Sequence, residues 1–369
     1  MRLDRCLALT ALVWPIATWA AEVPDQLGTS AITASRAAEA SLLDIVATTD
    51  GAVAVGERGV ILALGAEGWK QEAVPVSATL TAVDFNAEGV GLAVGHDGVI
   101  LRQASPGAPW QKITDGTELF PLVIAAAKDR QTAAAEALAE ADESEREDLE
   151  FELEDAEFRF ETAEQSLAYG PAWPLLDVLF TDPATAWAAG AYGILFRSGD
   201  AGETWELVAD RLDNFEDLHL NALHQSGAGS LVIAGEGGML FRSADAGASF
   251  ERFDTNDALS LFGLAEADGR LYAYGFGNSF QVSEDDGITW ASQRLPDNLL
   301  LIGDVALPLG GVGLLGGSGL MIPVGPEGAA TPTRPTGTRD FLSGAVPGPE
   351  GLIFASEAGL LVADPGQGN

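Results

Sequence analysis

The sequence predicts an all-β fold, a seven-bladed β-propeller of four-stranded blades with an inserted α-helical hairpin. Three observations carry that prediction. A short glycine phrase recurs seven times, runs of strand formers flank each copy, and one interval is stretched by a segment with helical spacing. Repeats with a period of 20–50 residues are the mark of solenoids and propellers. A period near forty residues matches four short strands and their turns.

The phrase is small apolar residues, Gly, two variable residues, Gly, then an apolar run. It reads Ala54-Val55-Gly56-Glu57-Arg58-Gly59-Val60-Ile61-Leu62 in the first copy and Ala93-Val94-Gly95-His96-Asp97-Gly98-Val99-Ile100-Leu101 in the second. The first anchors fall at Gly56, Gly95, Gly190, Gly235, Gly275, Gly316 and Ser356, in steps of 39, 95, 45, 40, 41 and 40. The step of 95 contains the insertion.

Each unit opens on an inner strand: Leu42–Ala47, Leu80–Phe85, Leu175–Phe180, Leu220–His224, Leu261–Ala265, Ile302–Leu307 and Phe341–Val346. A second strand runs into the Gly-x-x-Gly turn and a third leaves it. A fourth opens near an aromatic, as at Trp69, Trp110, Trp205, Phe250 and Trp290. The turn glycines are expected to supply positive φ without a Cβ penalty. The last unit stops after Leu360–Ala363, so residues 29–36, Thr29 to Arg36, are expected to provide its fourth strand and close the ring. Closure removes an open sheet edge. The apolar stretch Leu299–Ile322 holds Asp304, Pro308 and seven glycines, which fits two short strands better than a membrane span.

Composition narrows the function. Fifty-five acidic residues against 19 basic ones give a formal charge of −36. Such a field repels polyanions, so nucleic-acid binding through phosphate contacts is excluded. Residues 1–20 read as a secretory signal peptide: Arg2 and Arg5, an apolar stretch over Leu7–Ile16, and Thr18-Trp19-Ala20 before the cleavage point. The propeller then occupies 21–369, and the expected location is the periplasm or another exported compartment. The one cysteine, Cys6, leaves with the signal, so thiolate and disulfide chemistry go with it.

A second phrase sits between third and fourth strands. Ser198-Gly199-Asp200-Ala201-Gly202-Glu203-Thr204-Trp205 and Ser283-Glu284-Asp285-Asp286-Gly287-Ile288-Thr289-Trp290 match the Asp-box, S-x-D-x-G-x-T-W. Ser243-Ala244-Asp245-Ala246-Gly247-Ala248-Ser249-Phe250 is a near copy. Asp200, Gly202, Trp205, Asp245, Gly247, Asp285, Gly287 and Trp290 are read as structural, since an Asp that accepts local N–H groups and a Gly at positive φ build a hairpin.

Asp-boxes on this period, with Gly-x-x-Gly turns and a signal peptide, resemble the photosystem II stability/assembly factor family of seven-bladed propellers. The resemblance spans roughly residues 28–365 apart from the insertion. It implies a lumenal factor that helps assemble a reaction-centre subunit in photosynthetic hosts. In bacteria without photosystems it implies association with resistance-nodulation-division type exporters. That family's binding face is basic, whereas this chain has only 19 basic residues in all.

Residues 118–169 break the strand pattern. Leu149, Leu153, Ala156, Phe160, Ala163 and Leu167 are spaced 4, 3, 4, 3, 4, one heptad seam. Ser144-Glu145-Arg146-Glu147 reads as a capping box, and the Ala-rich segment 124–141 as the antiparallel partner. A hairpin or one long helix both satisfy the pattern. Between Glu136 and Glu164 lie 14 acidic residues against Arg146 and Arg159, a net charge of about −12.

In an up-down blade, second-to-third turns share a face with the connectors between blades. The insertion is such a connector, so it belongs on the Gly-x-x-Gly face. Glu57, Arg58, His96, Asp97, Tyr192, Glu236 and Phe276 are therefore the predicted partner-binding residues, turn tips on a rigid scaffold. Enzyme chemistry is not expected. A sialidase-like site needs an arginine cluster, and Arg197 and Arg242 recur at equivalent strand positions, as repeat structure would place them. His96, His219 and His224 lack metal-ligand spacing, and no cofactor or metal is expected.

The expectation is thus a non-catalytic, monomeric, exported propeller peripheral to the membrane. It would act as an assembly or accessory factor for an envelope complex whose exported side is basic. Photosystem II assembly and Asp-box glycoside hydrolysis are the alternatives.

Overall fold

The computed structural model describes residues 25–168, 170, 173–256, 258–277, 279–295 and 299–363. The signal peptide read at 1–20 lies outside them. Seven antiparallel sheets are arranged as blades, six of four strands and a seventh of three among the described residues. The inner strands are Leu42–Thr48, Leu80–Phe85, Leu175–Phe180, Leu220–Gln225, Leu261–Ala267, Leu301–Ala306 and Leu342–Gly348. Each packs beside the next, and the first packs beside the last, so the ring is closed. Leu299–Ile322 forms two strands and a turn, as its glycines required.

Second strands are buried along all or most of their length, entirely so in Gly91–Gly95 and Leu231–Gly235. Each is sandwiched between the flanking blades, which explains why these stretches read as continuous apolar runs. The core consists of clusters between neighbouring blades rather than one centre. Leu92, Val94 and Ile100 of blade 2 meet Val178, Ala188 and Phe196 of blade 3, for example. Fully burying a side chain of this size contributes about 1.5–3 kcal/mol.

Polar side chains also stitch the inner strands together. Thr81, Asn221 and Ser343 donate to the first carbonyl of the following inner strand, at Leu175 (2.8 Å), Leu261 (2.8 Å) and Leu42 (2.9 Å). Asp44, Asp84 and Asp177 accept from Val83 N (2.9 Å), Phe180 N (2.7 Å) and Leu223 N (2.7 Å) of the next blade.

Residues 29–36 do not form the closing strand. Ala31 N donates to Val74 O, and Gln71 clamps the segment by accepting from Ala34 N and donating to Ile32 O. The stretch is held on the outer side of blade 1, and its backbone groups are spent there. The chain then makes a 3-10 turn, Ala37–Glu39, that caps the last blade from its end, where Gly359 abuts Ala38 O. Closure runs through direct packing of the first and last inner strands and the Ser343–Leu42 hydrogen bond.

The insertion is a helical hairpin of α1 (Gly116–Glu140) and α2 (Arg146–Ala168), which excludes the single long helix. Asp115 caps α1 by accepting from Thr117 N at 2.9 Å. The expected capping box is replaced by an Asp turn: Asp142 accepts from Ser144 N (3.1 Å) and Ser144 Oγ (2.6 Å), so the serine hydroxyl is already committed. Ala156 and Ala163 are buried in the seam, with Leu149, Leu153 and Phe160 half-buried beside them. No helix among the described residues is long and apolar enough to cross a membrane.

Candidate functional site: the Gly-x-x-Gly face

Each Gly-x-x-Gly turn hangs from the inner strand of its own blade by one conserved-geometry bond. The residue after the first anchor donates to the carbonyl just before the inner strand: Glu57 to Ser41, His96 to Thr79, Ala191 to Pro174, Glu236 to His219, Phe276 to Ser260, Gly317 to Leu300 and Glu357 to Phe341. The distances run from 2.9 to 3.1 Å.

This bond revises the reason for the glycines. The second glycine has the expected positive φ, 71° at Gly59. The first is extended, with φ −175° at Gly56, a conformation open to any residue. Glycine is needed there because a Cβ would sit 2.1 Å from Ser41 O. The second variable residue also takes the left-handed region, at Arg58, Asp97, Tyr192 and Ser318. Few residues without Asn- or Asp-like side chains adopt it, so Arg58 and Tyr192 are held there by the turn.

The insertion lies on this face, as chain order predicted. Gly98 of the blade 2 turn abuts Gly116 and Phe120 at the start of α1. From Phe120 a chain of rings leads across the face: Phe120 to Trp173 at 4.9 Å, Trp173 to Tyr192 at 5.5 Å, and Tyr192 to His219 at 5.0 Å. His219 Nδ1 accepts from Tyr192 N (3.1 Å), and Glu236 Oε2 accepts from His219 N (3.3 Å). Arg159 of α2 pairs with Asp155 (2.5 Å) on its own helix and with Asp217 in the loop before blade 4, which moors the hairpin over blades 3 and 4.

The predicted residues therefore divide into groups. Tyr192 and Glu236 come together through His219. Asp97 lies half-buried at the base of α1, where burial pushes its carboxyl up, opposed by His96 and reinforced by Asp115 and Asp25. His96 is exposed beside it. Glu57, Arg58 and Phe276 are exposed on the turns of blades 1 and 5 and take no part in the ring chain. Phe120, Trp173 and His219 were not among the predicted residues. Their only sequence signal is position: two aromatics bracketing the insertion and one His directly before an inner strand.

The face offers an aromatic platform in which Tyr192 is 53% exposed, and Phe215, in the loop before blade 4, is also exposed and lies under Arg252. Such groups recognise a protein surface through ring contacts and a polar rim. Among the described residues no group of His, Cys, Asp and Glu has the arrangement of a metal site.

The Asp-boxes lie on the opposite face, where their side chains bond one another and the local backbone. In blade 4, Ser243 Oγ accepts from Gly247 N (2.8 Å) and donates to Asp245 (2.7 Å). Asp245 accepts from Ser249 N (2.9 Å) and Oγ (2.7 Å). These hydrogen bonds, led by the one from Ser249, hold its carboxyl well below the usual range. Asp200 and Asp285 repeat the pattern with Thr204 and Thr289. Gly202 and Gly247 press on Leu92 and Trp187 of the preceding blade, and Trp290 Nε1 donates to Gly287 O at 3.1 Å. Trp205 packs in the cluster between blades 2 and 3. Arg242 donates to Asp286 O (2.6 Å) and pairs with its carboxylate (2.8 Å), so this recurrent arginine locks a neighbouring box.

The axis holds a cavity of about 440 Å³ lined by Asp44, Asp177, Asp304, Tyr274, Thr81 and Asn221. Burial pushes the carboxyls of Asp44 and Asp304 up to about 6 and that of Asp177 up to about 8, with Asp44 adding to the rise of Asp304 and Asp177. Asp84 rises to about 6 for the same reason.

Fold and motifs define a class: a closed seven-bladed propeller with Asp-box repeats. Within that class the family described as "Photosynthesis system II assembly factor YCF48" matches residues 165–263, so the resemblance stated from the sequence is shown over blades 3 and 4 and the start of blade 5. No curated protein sequence matches the chain. Among solved structures, "YCF48 bound to D1 peptide" aligns at TM-score 0.58 and 15% identity, covering 89% of this chain and 93% of that one. YCF48 from Cyanidioschyzon merolae aligns at 0.56 and 13%, covering 88% and 94%. The WD40 propeller domain of Doa1 aligns at 0.54 and 10%, covering 91% and 95%. At these identities the structures establish the fold.

Proposed function

We propose that this chain is a non-catalytic, exported assembly or accessory factor that docks a membrane-protein client of the envelope on its Gly-x-x-Gly face. The observation that carries the reading is the exposed Tyr192, set between Trp173 and His219 in a ring chain that joins the insertion to the turns of blades 3 and 4. The family match over residues 165–263 covers the blades that contribute Tyr192 and Glu236. A structurally similar propeller bound to a peptide of D1 supports the idea that such a disc presents a face to a protein client. The acidic hairpin favours a client whose exported side is basic, and an exporter of the resistance-nodulation-division type fits that description. The same family match keeps a photosystem reaction-centre subunit as the second reading.

Affinity capture from crosslinked envelopes tests this. The whole protein should recover one membrane protein, identified by mass spectrometry, and the double variant Tyr192→Ala, Phe276→Ala should lose it. Equal recovery by both would place binding elsewhere. Recovery of no client would end the assembly reading, and turnover of a chromogenic glycoside would replace it with an enzyme.

A further inference from the structure

The helix α2 carries two apolar stripes, and the fold uses one of them. At 100° per residue, Leu149, Leu153, Ala156, Phe160 and Ala163 fall within an arc of about 80° that faces α1. Phe151 and Phe158 fall on the opposite side, seven residues and about 20° apart, and are 72% and 69% exposed. Two exposed phenylalanines on an otherwise carboxylate-rich helix are an expensive arrangement in water unless something covers them. Carboxylates flank this outer stripe: Glu147, Glu154 and Glu161 on one side, Asp148 and Asp155 on the other.

From this geometry we infer that the outer stripe of α2 is a docking seam for a cationic amphipathic helix, which adds to the hairpin as a third helix. The inference rests on the proposed client-binding role and names the part of a client that this seam takes. The occupant follows from charge and spacing. Phenylalanines seven residues apart offer holes to apolar side chains on one face of a partner helix, at the i, i+3/i+4, i+7 spacing. The flanking carboxylates pair with Lys or Arg on either side of that face, as in the flanking positions of a coiled coil. A second copy of this chain is disfavoured, because each carries −36 and both seams are acidic. An anionic lipid surface is disfavoured by the same field. The mooring of Arg159 to Asp217 keeps the seam at a fixed place on the disc, beside the Tyr192 platform.

The test uses the whole protein and a labelled 21-residue probe of three heptads, with leucine at a and d and lysine at e and g. A scrambled peptide of identical composition is the control, and fluorescence anisotropy is read at two salt concentrations. The ordered probe should bind at least about tenfold more tightly than the scrambled one. F151A/F158A should remove that advantage, and E147Q/E154Q/E161Q should weaken binding and flatten its salt dependence. Circular dichroism confirms that each variant keeps its helices. Equal binding of ordered and scrambled peptides would overturn the seam, as would an unaltered affinity in F151A/F158A. Binding of anionic vesicles that the same substitutions abolish would also overturn it, in favour of a lipid surface. The variant Tyr192→Ala, Phe276→Ala should leave peptide affinity unchanged. Failure of the whole protein to capture any client, with peptide binding intact, would therefore break the assembly role and not the seam.

Discussion

The two faces of the disc carry the two repeated motifs, and they use them in opposite ways. On the Asp-box face the side chains that define the motif are consumed by it: Ser243, Asp245 and Ser249 bond one another and the backbone between them. On the Gly-x-x-Gly face the motif is made by backbone and glycine, and the two intervening side chains are left over. The turn hangs from one main-chain hydrogen bond repeated in seven blades, so the motif itself makes no use of the variable side chains, and contacts such as those of Tyr192 and Glu236 with His219 belong to individual blades. A motif written in backbone leaves its side chains for a partner; a motif written in side chains does not.

The sharpest way to break this contrast is to add a side chain where the turn face has no room. Gly95→Ala would place a Cβ 2.1 Å from Thr79 O, a main-chain atom that moves only if the blade moves. The expected loss is on the order of 3 kcal/mol, measured by denaturant unfolding. A change under about 0.5 kcal/mol would mean that the turn is soft. On the other face, Ser243→Ala strands the buried Gly247 N–H and should cost about 1–2 kcal/mol. An unchanged midpoint would show that water replaces the hydroxyl.

A third prediction concerns the axis, which both faces share. Asp177 titrates near 3.9 when unfolded and at about 8 when folded, so the folded state holds the proton more tightly. The stability linked to it is fully present below pH 4 and is lost as pH rises through about 8. Asp44, Asp84 and Asp304, raised to about 6, act in the same direction over pH 4–6. Asp177→Asn is permanently neutral and should show a shallower decline between pH 4 and 8 than the parent. A parallel decline would mean that this carboxyl ionises without cost. The smallest effect belongs to Tyr192→Ala, which should change stability by less than about 0.5 kcal/mol while abolishing client capture. A large loss of stability would make Tyr192 part of the scaffold and erase the contrast between the faces.

The ring was legible because its punctuation is steric: a glycine forced by a carbonyl 2.0–2.5 Å away recurs in six of the seven blades, with Ser356 at the same place in the last. The hairpin was legible from its inner seam, and its face from chain order. The closing strand was misread because pairing depends on where residues 29–36 find hydrogen-bond partners, and Gln71, some forty residues on, offers them. The ring chain from Phe120 to His219 joins the insertion to blades 3 and 4, so no local pattern announces it. The axial acids did leave a mark. A carboxylate within an apolar strand, as in Leu42-Leu43-Asp44 and Leu175-Leu176-Asp177, signals a polar duty inside the ring.

The way the ring closes also sets when it can close. The first and last blades share no strand among the described residues, and the Ser343–Leu42 bond spans 301 positions. Blade 1 must therefore wait, with one flank uncovered, until blade 7 has been made. Contacts of such long sequence separation slow folding and leave sticky intermediates. Closure of the ring by the last blade is then expected to be a slow step of folding, and a chaperone that shields the waiting flank of blade 1 would act at that moment.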